Sequence, residues 1–401
     1  MKSSEIRQEF LDFFREKGHE VVKSSSLIPI GDATLLFTNA GMAQFKEYFQ
    51  GKKTPPYKTA VTAQKCLRAG GKQSDISNVG YTARHHTFFE MLGNFSFGDY
   101  FKRDAINYAW ELFTVRFKLP KDRLWVTVFR DDDEAEGLWR EITGIAAEKI
   151  IRLDEKDNFW QMGDTGPCGP CSEILYDQGA DVGCGMSDCA VGCDCDRFLE
   201  LWNLVFMQFD RQVDGTLITL PNPSIDTGMG LERISSILQG KKSNFDTDLF
   251  VPIIEIITRK SNIKYGHNKN IDSSIRIIAD HIRAVTLMLT DGVIPSNEGR
   301  GYVLRKIIRR AVAHCRLIGI DRPFFYTIMD DFIGFFSDIY PDIKRERDTS
   351  YEYLKNEELG FFSTLDRALL RLEFNSLKAS ICCVSNFWHR SLSCVSSSAA
   401  L

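Results

Sequence analysis

One octapeptide constrains the fold of this chain more than any other stretch: Asp226-Thr-Gly-Met-Gly-Leu-Glu-Arg233. It combines two closely spaced glycines with a carboxylate at one end and an arginine at the other. Glycine lets a ligand or a second backbone approach closely, and an arginine beside it can hold a phosphate through two hydrogen bonds. A lone Gly-x-Gly is more often only a glycine-packed helix start, and we predict that a helix runs from this stretch to about Leu238.

The periodicity of apolar residues changes near residue 245. Upstream, short apolar runs predict helices over 3–17 and 100–117 and strands over 59–69, 84–92, 124–129, 172–176 and 198–209. Downstream, helical periodicity dominates, over 246–260, 272–290, 300–318, 324–337 and 345–372. We therefore predict an α+β fold, in which a largely antiparallel sheet flanked by helices is followed by an all-helical domain.

The chain divides into three predicted parts. Residues 1–243 form the α+β domain and 244–372 the helical domain. The remaining 373–401 is rich in serine, contains cysteine and shows no periodicity, so we expect a disordered low-complexity tail unrelated to the rest.

Composition excludes several classes of protein. The formal net charge is -4 over 401 residues, so the chain is not globally basic and any surface for nucleic acid must be local. No uncharged apolar run is long enough to span a bilayer, and the N-terminus does not resemble a signal peptide. These features favour a cytoplasmic enzyme.

Two arginines are candidates for holding phosphates. Arg68 follows a predicted strand, and Arg233 ends the octapeptide. Arginine carries a fixed positive charge, so both could grip a nucleotide if they face one cleft; otherwise they are surface arginines in unrelated salt bridges. The His85-His86 pair lies on opposite faces of a predicted strand, so at least one histidine is structural. Trp160 and Phe88 offer flat aromatic surfaces, which are usually core and sometimes stack on a base.

A basic stripe is predicted on the helix that covers 300–318. Residues 299–320 contain no acidic side chain, and the stripe consists of Arg305, Lys306, Arg309 and Arg310. A solvated helix face usually carries charges of both signs. The absence of acidic residues therefore favours a phosphate backbone as the partner.

Four cysteines lie in one short, glycine-rich loop: Cys184, Cys189, Cys193 and Cys195. Four thiols are the ligand set of a structural zinc, although the spacings match no familiar zinc ribbon, so free thiols are an equal alternative. Cys168-Gly-Pro-Cys171 is spaced like a redox pair but lacks the surrounding βαβ pattern, and we interpret it as a structural turn near the rim of the site.

These motifs together resemble the class II aminoacyl-tRNA synthetases. The octapeptide is similar to motif 3 of that family, Arg68 with Arg84-His-His-Thr-Phe-Phe89 to motif 2, and Lys17 through Pro29 to motif 1. More narrowly, 80–99, 202–209 and 295–302 resemble the alanyl-tRNA synthetase family, and the resemblance runs from about residue 3 to Leu372.

The resemblance implies an alanine–tRNA ligase that uses ATP with Mg²⁺. Alanine and ATP would give alanyl-adenylate, and the alanyl group would pass to the 3′ end of alanine tRNA. Arg68 would then bind the α-phosphate and Arg233 the γ-phosphate. Other residues implied to line the ATP site are His86, Trp160, Asn203 and Gly230, together with the backbone of Leu201 and Trp202.

The same resemblance implies the sites for the other two substrates. Asn203 and Asp226 would hold alanine, with Asp226 on its ammonium group. Asn297 would contact the acceptor stem of the tRNA, and the basic stripe would face its phosphates. No general base is assigned, because the carboxylate of alanine is itself the nucleophile.

The chain also departs from the family. The cysteine loop is not general to it, and the editing and C-terminal oligomerising domains are not recognised, so we expect a monomer that does not edit. Two functional classes stay open: an active catalytic fragment, or a chain without catalysis, which is either an RNA-binding remnant or a protein too truncated to fold stably. Adenylation without transfer to tRNA is a third alternative.

Overall fold

The computed structural model describes residues 1–29, 35–70 and 74–367. Its strands all belong to one sheet: β1 Glu20–Val21, β2 Thr59–Leu67, β3 Phe88–Ser96, β4 Leu124–Phe129, β5 Ile150–Leu153, β6 Phe159–Gln161, β7 Gly166–Asp177, β8 Phe198–Arg211 and β9 Leu217–Gly230. The α-helices are α1 Ser3–Glu16, α2 Lys46–Phe49, α3 Lys102–Glu111, α4 Asp133–Thr143, α5 Glu155–Asn158, α6 Leu231–Leu238, α7 Val251–Ser261, α8 Lys269–Thr290, α9 Gly299–Leu317, α10 Met329–Phe336, α11 Asp342–Arg345 and α12 over 347–367.

The sheet is mostly antiparallel. Its strand order is β1-β2-β3-β9-β8-β7-β4-β5, with β6 paired to β7. Only the outer pairs, β1 with β2 and β4 with β5, run parallel among the described strands. The predicted α+β fold with an antiparallel sheet is therefore confirmed, and the predicted helices of the second half are found within a few residues of their expected bounds.

The octapeptide is a strand-to-helix junction: the predicted helix to Leu238 is found, but it begins at Leu231, inside the octapeptide, and not at Asp226. Residues 226–230 complete β9. The period of two explains the difference: Asp226 and Gly228 face a cavity, while Met229 packs into the core. Because β9 lies between β3 and β8, the octapeptide is at the centre of the sheet.

The predicted turn at Cys168–Cys171 is wrong, because this segment lies in the first half of β7. The Cys168–Cys171 segment is buried strand and not a turn. Its glycine allows an unusually close approach of β7 to β8, since a Cβ on Gly169 would lie 2.0 Å from the carbonyl oxygen of Phe206. Glycine and proline there mark close strand packing with a register shift.

The helical region shares its hydrophobic core with the sheet. That core includes Phe10 of α1, Trp202 of β8, Ile278 of α8 and Leu304 of α9. Helix α8 is buried along most of its length and carries Arg283, which donates to Glu232 of α6 at 2.7 Å. Whether 1–243 and 244–372 are separate domains stays a prediction, and the tail at 373–401 lies outside the described residues. Within the described ranges, no helix is long and apolar enough to cross a bilayer.

Candidate active site

A cleft lies over the centre of the sheet, on β2, β3, β7, β8 and β9. Its larger part is a cavity of about 1010 Å³, and a second cavity of about 70 Å³ adjoins it. The two share the residues Arg68, Asp75, Met91, Glu200 and Gly228. The larger cavity alone reaches Trp160, Asn203 and Asp226, whereas the smaller reaches Arg84, His85, Leu201, Gly230 and Arg233. The cleft thus has an acidic end and an arginine-rich end.

Asp226 dominates the acidic end. Its residue is 5% exposed, and within the described part of the chain its carboxylate has no hydrogen-bond or salt-bridge partner. Burial raises the pKa of this carboxyl to about 7. A buried charge without a partner is costly, so the site is complementary to a ligand that brings a cation.

Two neighbours on β7 and β8 complete that end. The Asn203 Nδ2 donates to Glu173 Oε1 at 3.4 Å, while the Asn203 Oδ1 is buried with no partner in the described structure. Burial, reinforced by the negative charge of Glu200, raises the pKa of Glu173 well above its usual range. The cleft therefore offers a free amide oxygen close to Asp226. Glu173 was not predicted as a site residue from the sequence. The one signal for it is that a charged residue lies on the buried strand β7.

The arginine-rich end is built on the end of β2 and the first turn of α6. The guanidinium of Arg68 lies 5.1 Å from the centre of the Phe89 ring. Arg233 donates to the Glu200 carboxylate at 2.7 Å and to the Glu200 carbonyl at 3.1 Å. Burial opposes ionisation of Glu200, but the charge of Arg233, aided by Arg68 and Arg84, outweighs it and holds the pKa of Glu200 below its usual value.

Arg68 and Arg233 therefore lie in one cleft, which is the first of the two alternatives that the sequence left open. Their nucleotide roles stay predictions. Glu200 was not anticipated, and its carboxylate oxygens are ligands of the kind that Mg²⁺ prefers.

Phe88 takes the core position that is usual for such a ring, and the aromatic ring that faces the cleft is its neighbour. Phe88 is buried in the core, whereas Phe89 lines the smaller cavity. Strand β3 begins at Phe88, so adjacent residues point to opposite faces of the sheet. If Phe88 lies in the core, strict alternation along a strand places the next residue, Phe89, on the cleft face, so the sequence could have indicated Phe89.

The two histidines have different surroundings. His86 lines the smaller cavity but is only 4% exposed, because its ring stacks on Phe250 and bonds to Asp280 and Asn244. His85 is less buried and lines the same cavity, with Nδ1 at 2.9 Å from the Thr82 hydroxyl. Burial lowers the pKa of His85 to about 4, so its ring is neutral at pH 7.

The other predicted ATP residues divide between the cleft and the core. Trp160 lines the larger cavity, and Leu201 and Gly230 line the smaller. The Trp202 ring instead packs against Phe10 on the opposite face of β8. Any contribution of Trp202 to the cleft must therefore come from its backbone.

Comparison with known proteins decides the family. The family model for class II tRNA synthetases (A) matches residues 5–381. The chain belongs to this family. The match extends a little beyond Leu372, where the recognised resemblance ends.

Curated relatives of this class II chain carry the name alanine–tRNA ligase. The one from Oleidesulfovibrio alaskensis is 56% identical over 373 residues, which is 92% of this chain and 42% of the relative. The one from Nitratidesulfovibrio vulgaris is 57% identical over 372 residues, with the same coverage of each. The chain thus spans less than half the length of these relatives.

Solved structures give a weaker match. The asparaginyl-tRNA synthetase of Entamoeba histolytica, in complex with asparaginyl-adenylate, is 11% identical and covers 62% of this chain and 65% of its own. The TM-score is 0.36.

The basic stripe on α9 is partly neutralised in this class II chain. Arg305 and Arg309 both pair with Glu357 of α12, at 2.8 and 3.2 Å. Arg310 points inward, where it bonds to His281 and to the Val79 carbonyl. The acidic partner comes from a distant helix, so the sequence of α9 alone gave no sign of it.

Two residues of the predicted RNA surface remain exposed. Lys306 has no charged partner in the described part of the chain, and Asn297 accepts a hydrogen bond from Arg305. The binding of RNA by these residues stays a prediction.

The cysteine loop between β7 and β8 brings its four thiols together. The Sγ atoms of Cys184, Cys189, Cys193 and Cys195 all lie within 4.8 Å of one another. The Cys189–Cys195 and Cys184–Cys193 sulfur pairs are 3.6 and 3.8 Å apart. A tetrahedral zinc with Zn–S bonds of ~2.3 Å separates its sulfurs by ~3.8 Å, so the cluster has the dimensions of such a site.

Proposed function

We propose that this chain activates L-alanine with ATP to alanyl-adenylate and transfers the alanyl group to the 3′ end of alanine tRNA. Membership of the class II family and its alanine–tRNA ligase relatives support this activity. The observation that carries the proposal is the unpaired Asp226 carboxylate at one end of a cleft whose other end contains Arg68 and Arg233.

Alanine is placed by its two charged groups. Its ammonium pairs with Asp226 and donates to the Asn203 Oδ1, which satisfies a buried acceptor. Its carboxylate then points along the cleft towards Arg68. The short methyl side chain needs little space, and such a pocket cannot strongly reject glycine.

ATP occupies the arginine-rich end. Arg68 holds the α-phosphate and Arg233 the γ-phosphate, and the base stacks on Phe89. When a phosphate replaces Glu200 as the salt-bridge partner of Arg233, the Glu200 carboxylate becomes free to coordinate Mg²⁺. The substrate carboxylate attacks the α-phosphate in line, and the protein contributes position and neutralising charge.

The tRNA acceptor stem lies against α9. Asn297 and Lys306 are exposed there, and a shallow RNA minor groove can be read by short polar side chains. Arg305 and Arg309 contribute to binding to the extent that RNA phosphates compete with Glu357. Arg310 acts from the interior, through His281.

Alanine-dependent ATP–pyrophosphate exchange tests the first step, and charging of alanine tRNA tests the second. We expect both. Exchange without charging would restrict the activity to adenylation, and RNA binding without exchange would favour a non-catalytic RNA-binding protein.

We also propose that the four cysteines bind one Zn²⁺. Their mutual distances fit a tetrahedral set of thiolates. Elemental analysis of protein purified under reducing conditions should give one zinc per chain, and a zinc-free protein would refute the site.

Three further expectations complete the proposal. We propose a monomer, which light scattering would contradict by a dimer mass. We place the protein in the cytoplasm, where tRNA is charged for translation. We also propose that 1–243 is the aminoacylation domain and 244–372 the tRNA-recognition domain, which separate expression of each part would test.

A further inference from the structure

Arg84 connects the cysteine loop to the nucleotide end of the cleft. Its side chain is 20% exposed and lines the smaller cavity beside Arg68 and Arg233. Its guanidinium donates to the Asp196 carboxylate and, at 2.9 Å, to the Asp194 carbonyl. Both partners belong to the cysteine loop, so the loop determines where this third arginine lies.

The partners of Arg84 are placed by the cysteines themselves. Asp194 lies between Cys193 and Cys195, and Asp196 follows directly. A metal bound to both thiolates would fix the backbone between them, including the carbonyl that accepts from Arg84. An exposed glycine-rich loop without such a bond would order only at a large entropic cost.

The loop is anchored to the body of the protein at its C-terminal side. The Gln178 side chain donates to the Asp196 carbonyl at 2.6 Å, and Arg197 bonds to Asp177 at 3.1 Å. Lys242, which follows α6, donates to the Gln178 carbonyl at 2.7 Å. These contacts hold the cysteine loop against the end of β7 and the start of β8.

Arg84 can act on a nucleotide from this position. Its charge, with those of Arg233 and Arg68, holds the pKa of Glu200 down, so the three guanidiniums already act on one point in the cleft. A polyphosphate at that point would feel the same field. Asp226 lines only the larger cavity, whereas Arg84 lines only the smaller one.

We propose that the metal-bound cysteine loop is a strut that positions Arg84 for the phosphates of ATP, so that metal occupancy sets the affinity for ATP and leaves the affinity for alanine unchanged. The inference rests on the proposed zinc site and on the proposed nucleotide role of the cleft. Arg84 is the nucleotide contact in this arrangement, and Asp194 and Asp196 are positioning residues.

Calorimetric titration of the full chain with ATP and, separately, with alanine tests the strut. We compare zinc-loaded wild type, wild type stripped with a chelator under reducing conditions, Arg84→Lys and Asp196→Asn. A charge-assisted hydrogen bond is worth ~1.5 kcal/mol or more, which is about tenfold in affinity. We expect stripping and both substitutions to raise the Kd for ATP about tenfold and to change the Kd for alanine less than twofold.

Asp196→Asn separates positioning from metal binding, because it retains all four cysteines and should keep its full zinc content. Asp188→Asn is the matched control: Asp188 is exposed in the same loop and has no partner in the described structure, so both zinc content and ATP affinity should equal those of the wild type. Readdition of zinc should restore ATP affinity to the stripped wild type and not to Asp196→Asn.

Each contrary result has a distinct meaning. Equal ATP affinity in the zinc-loaded and stripped proteins overturns the strut. An unchanged Kd for ATP in Arg84→Lys and Asp196→Asn overturns the role of Arg84. A wild type that contains zinc but does not bind ATP overturns the proposed function, and the strut with it. A wild type without zinc overturns the metal step even if Arg84→Lys weakens ATP binding.

Discussion

The two ends of the cleft carry opposite charges, and the protein prepares those charges in different ways. At the acidic end, Asp226 is buried with no partner among the described residues, and its pKa is raised to about 7. At the other end, Arg233 is held by Glu200 and Arg84 by Asp196. A buried charge without a partner destabilises the free protein, and a ligand of opposite charge removes that cost. A charge that is already paired is held in position, and it must exchange its protein partner for the ligand.

This difference separates the two proposed substrates. The acidic end suits a small cation such as the ammonium of alanine, because one ion pair removes the cost of a buried charge. The arginine-rich end suits a polyphosphate, because several guanidiniums already lie in fixed positions. A substitution at one end should therefore affect one substrate far more than the other.

The largest expected effect is that of Asp226→Asn. Loss of a buried ion pair costs about 3–5 kcal/mol, so the Kd for alanine should rise at least 100-fold while the Kd for ATP changes less than threefold. Calorimetry with each substrate checks this, with the exposed Asp338→Asn as control. Equal losses for alanine and ATP would mean that the two ends are wrongly assigned.

The same substitution should stabilise the ligand-free protein. The pKa of Asp226 is raised in the folded state, so its contribution to stability is complete below the unfolded value of about 3.9 and is lost as the pH rises through about 7. At pH 8 the neutral Asn avoids this loss. We expect a higher melting temperature for Asp226→Asn than for wild type at pH 8, and no gain at pH 4; a gain independent of pH would contradict the raised pKa.

The next effect is that of Arg233→Ala. It removes the proposed γ-phosphate contact and leaves Glu200 without its closest counter-charge, so the KM for ATP should rise about 10- to 100-fold. The KM for alanine should remain within threefold of the wild-type value. Arg345→Ala is the control, because Arg345 pairs only with its neighbours on the surface. An unchanged KM for ATP would remove Arg233 from the site.

The third effect is a pH dependence confined to the acidic end. Only ionised Asp226 attracts the alanine ammonium, so below pH 7 the Kd for alanine should rise up to about tenfold for each pH unit and should level off above it. The Kd for ATP should show no inflection of this kind at pH 7. A flat profile for alanine between pH 5.5 and 8.5 would show that Asp226 is already ionised in the free protein.

The smallest effects are expected on α9, where the same contrast between paired and unpaired charges recurs. Lys306 is unpaired in the described structure, so Lys306→Ala should weaken tRNA binding about threefold. It should also lower the slope of log affinity against log salt concentration by about one released ion. Glu357→Gln should instead strengthen binding, because it releases Arg305 and Arg309. Lys344→Ala on α11 is the control. Equal tRNA affinity in all three variants would exclude this surface from RNA binding.

Local patterns were sufficient to predict most of the fold. The antiparallel sheet and the later helices follow from hydrophobic periods of two and 3.6, and both were found where the periods are regular. The failures occurred where glycine interrupts the pattern. Residues 226–230 and 168–171 looked like a helix start and a turn, but their glycines serve close strand packing.

The site was predictable only in part. Asp226, Arg68 and Arg233 were indicated by residue type and motif, and the cleft contains all three. Glu200, Glu173 and Arg84 were missed because their importance depends on pairing across the sheet or with the cysteine loop, and such contacts leave no local signal. The neutralisation of the α9 stripe by Glu357 was hidden for the same reason.

Alanine titration of ATP–pyrophosphate exchange, at saturating ATP, tests the central claim most directly. For wild type we predict exchange that depends on alanine and saturates with it. For Asp226→Asn we predict exchange that returns only at alanine concentrations at least 100-fold higher. Exchange that does not require alanine, or that has the same alanine dependence in both proteins, would contradict the assignment of the unpaired carboxylate to the amino acid.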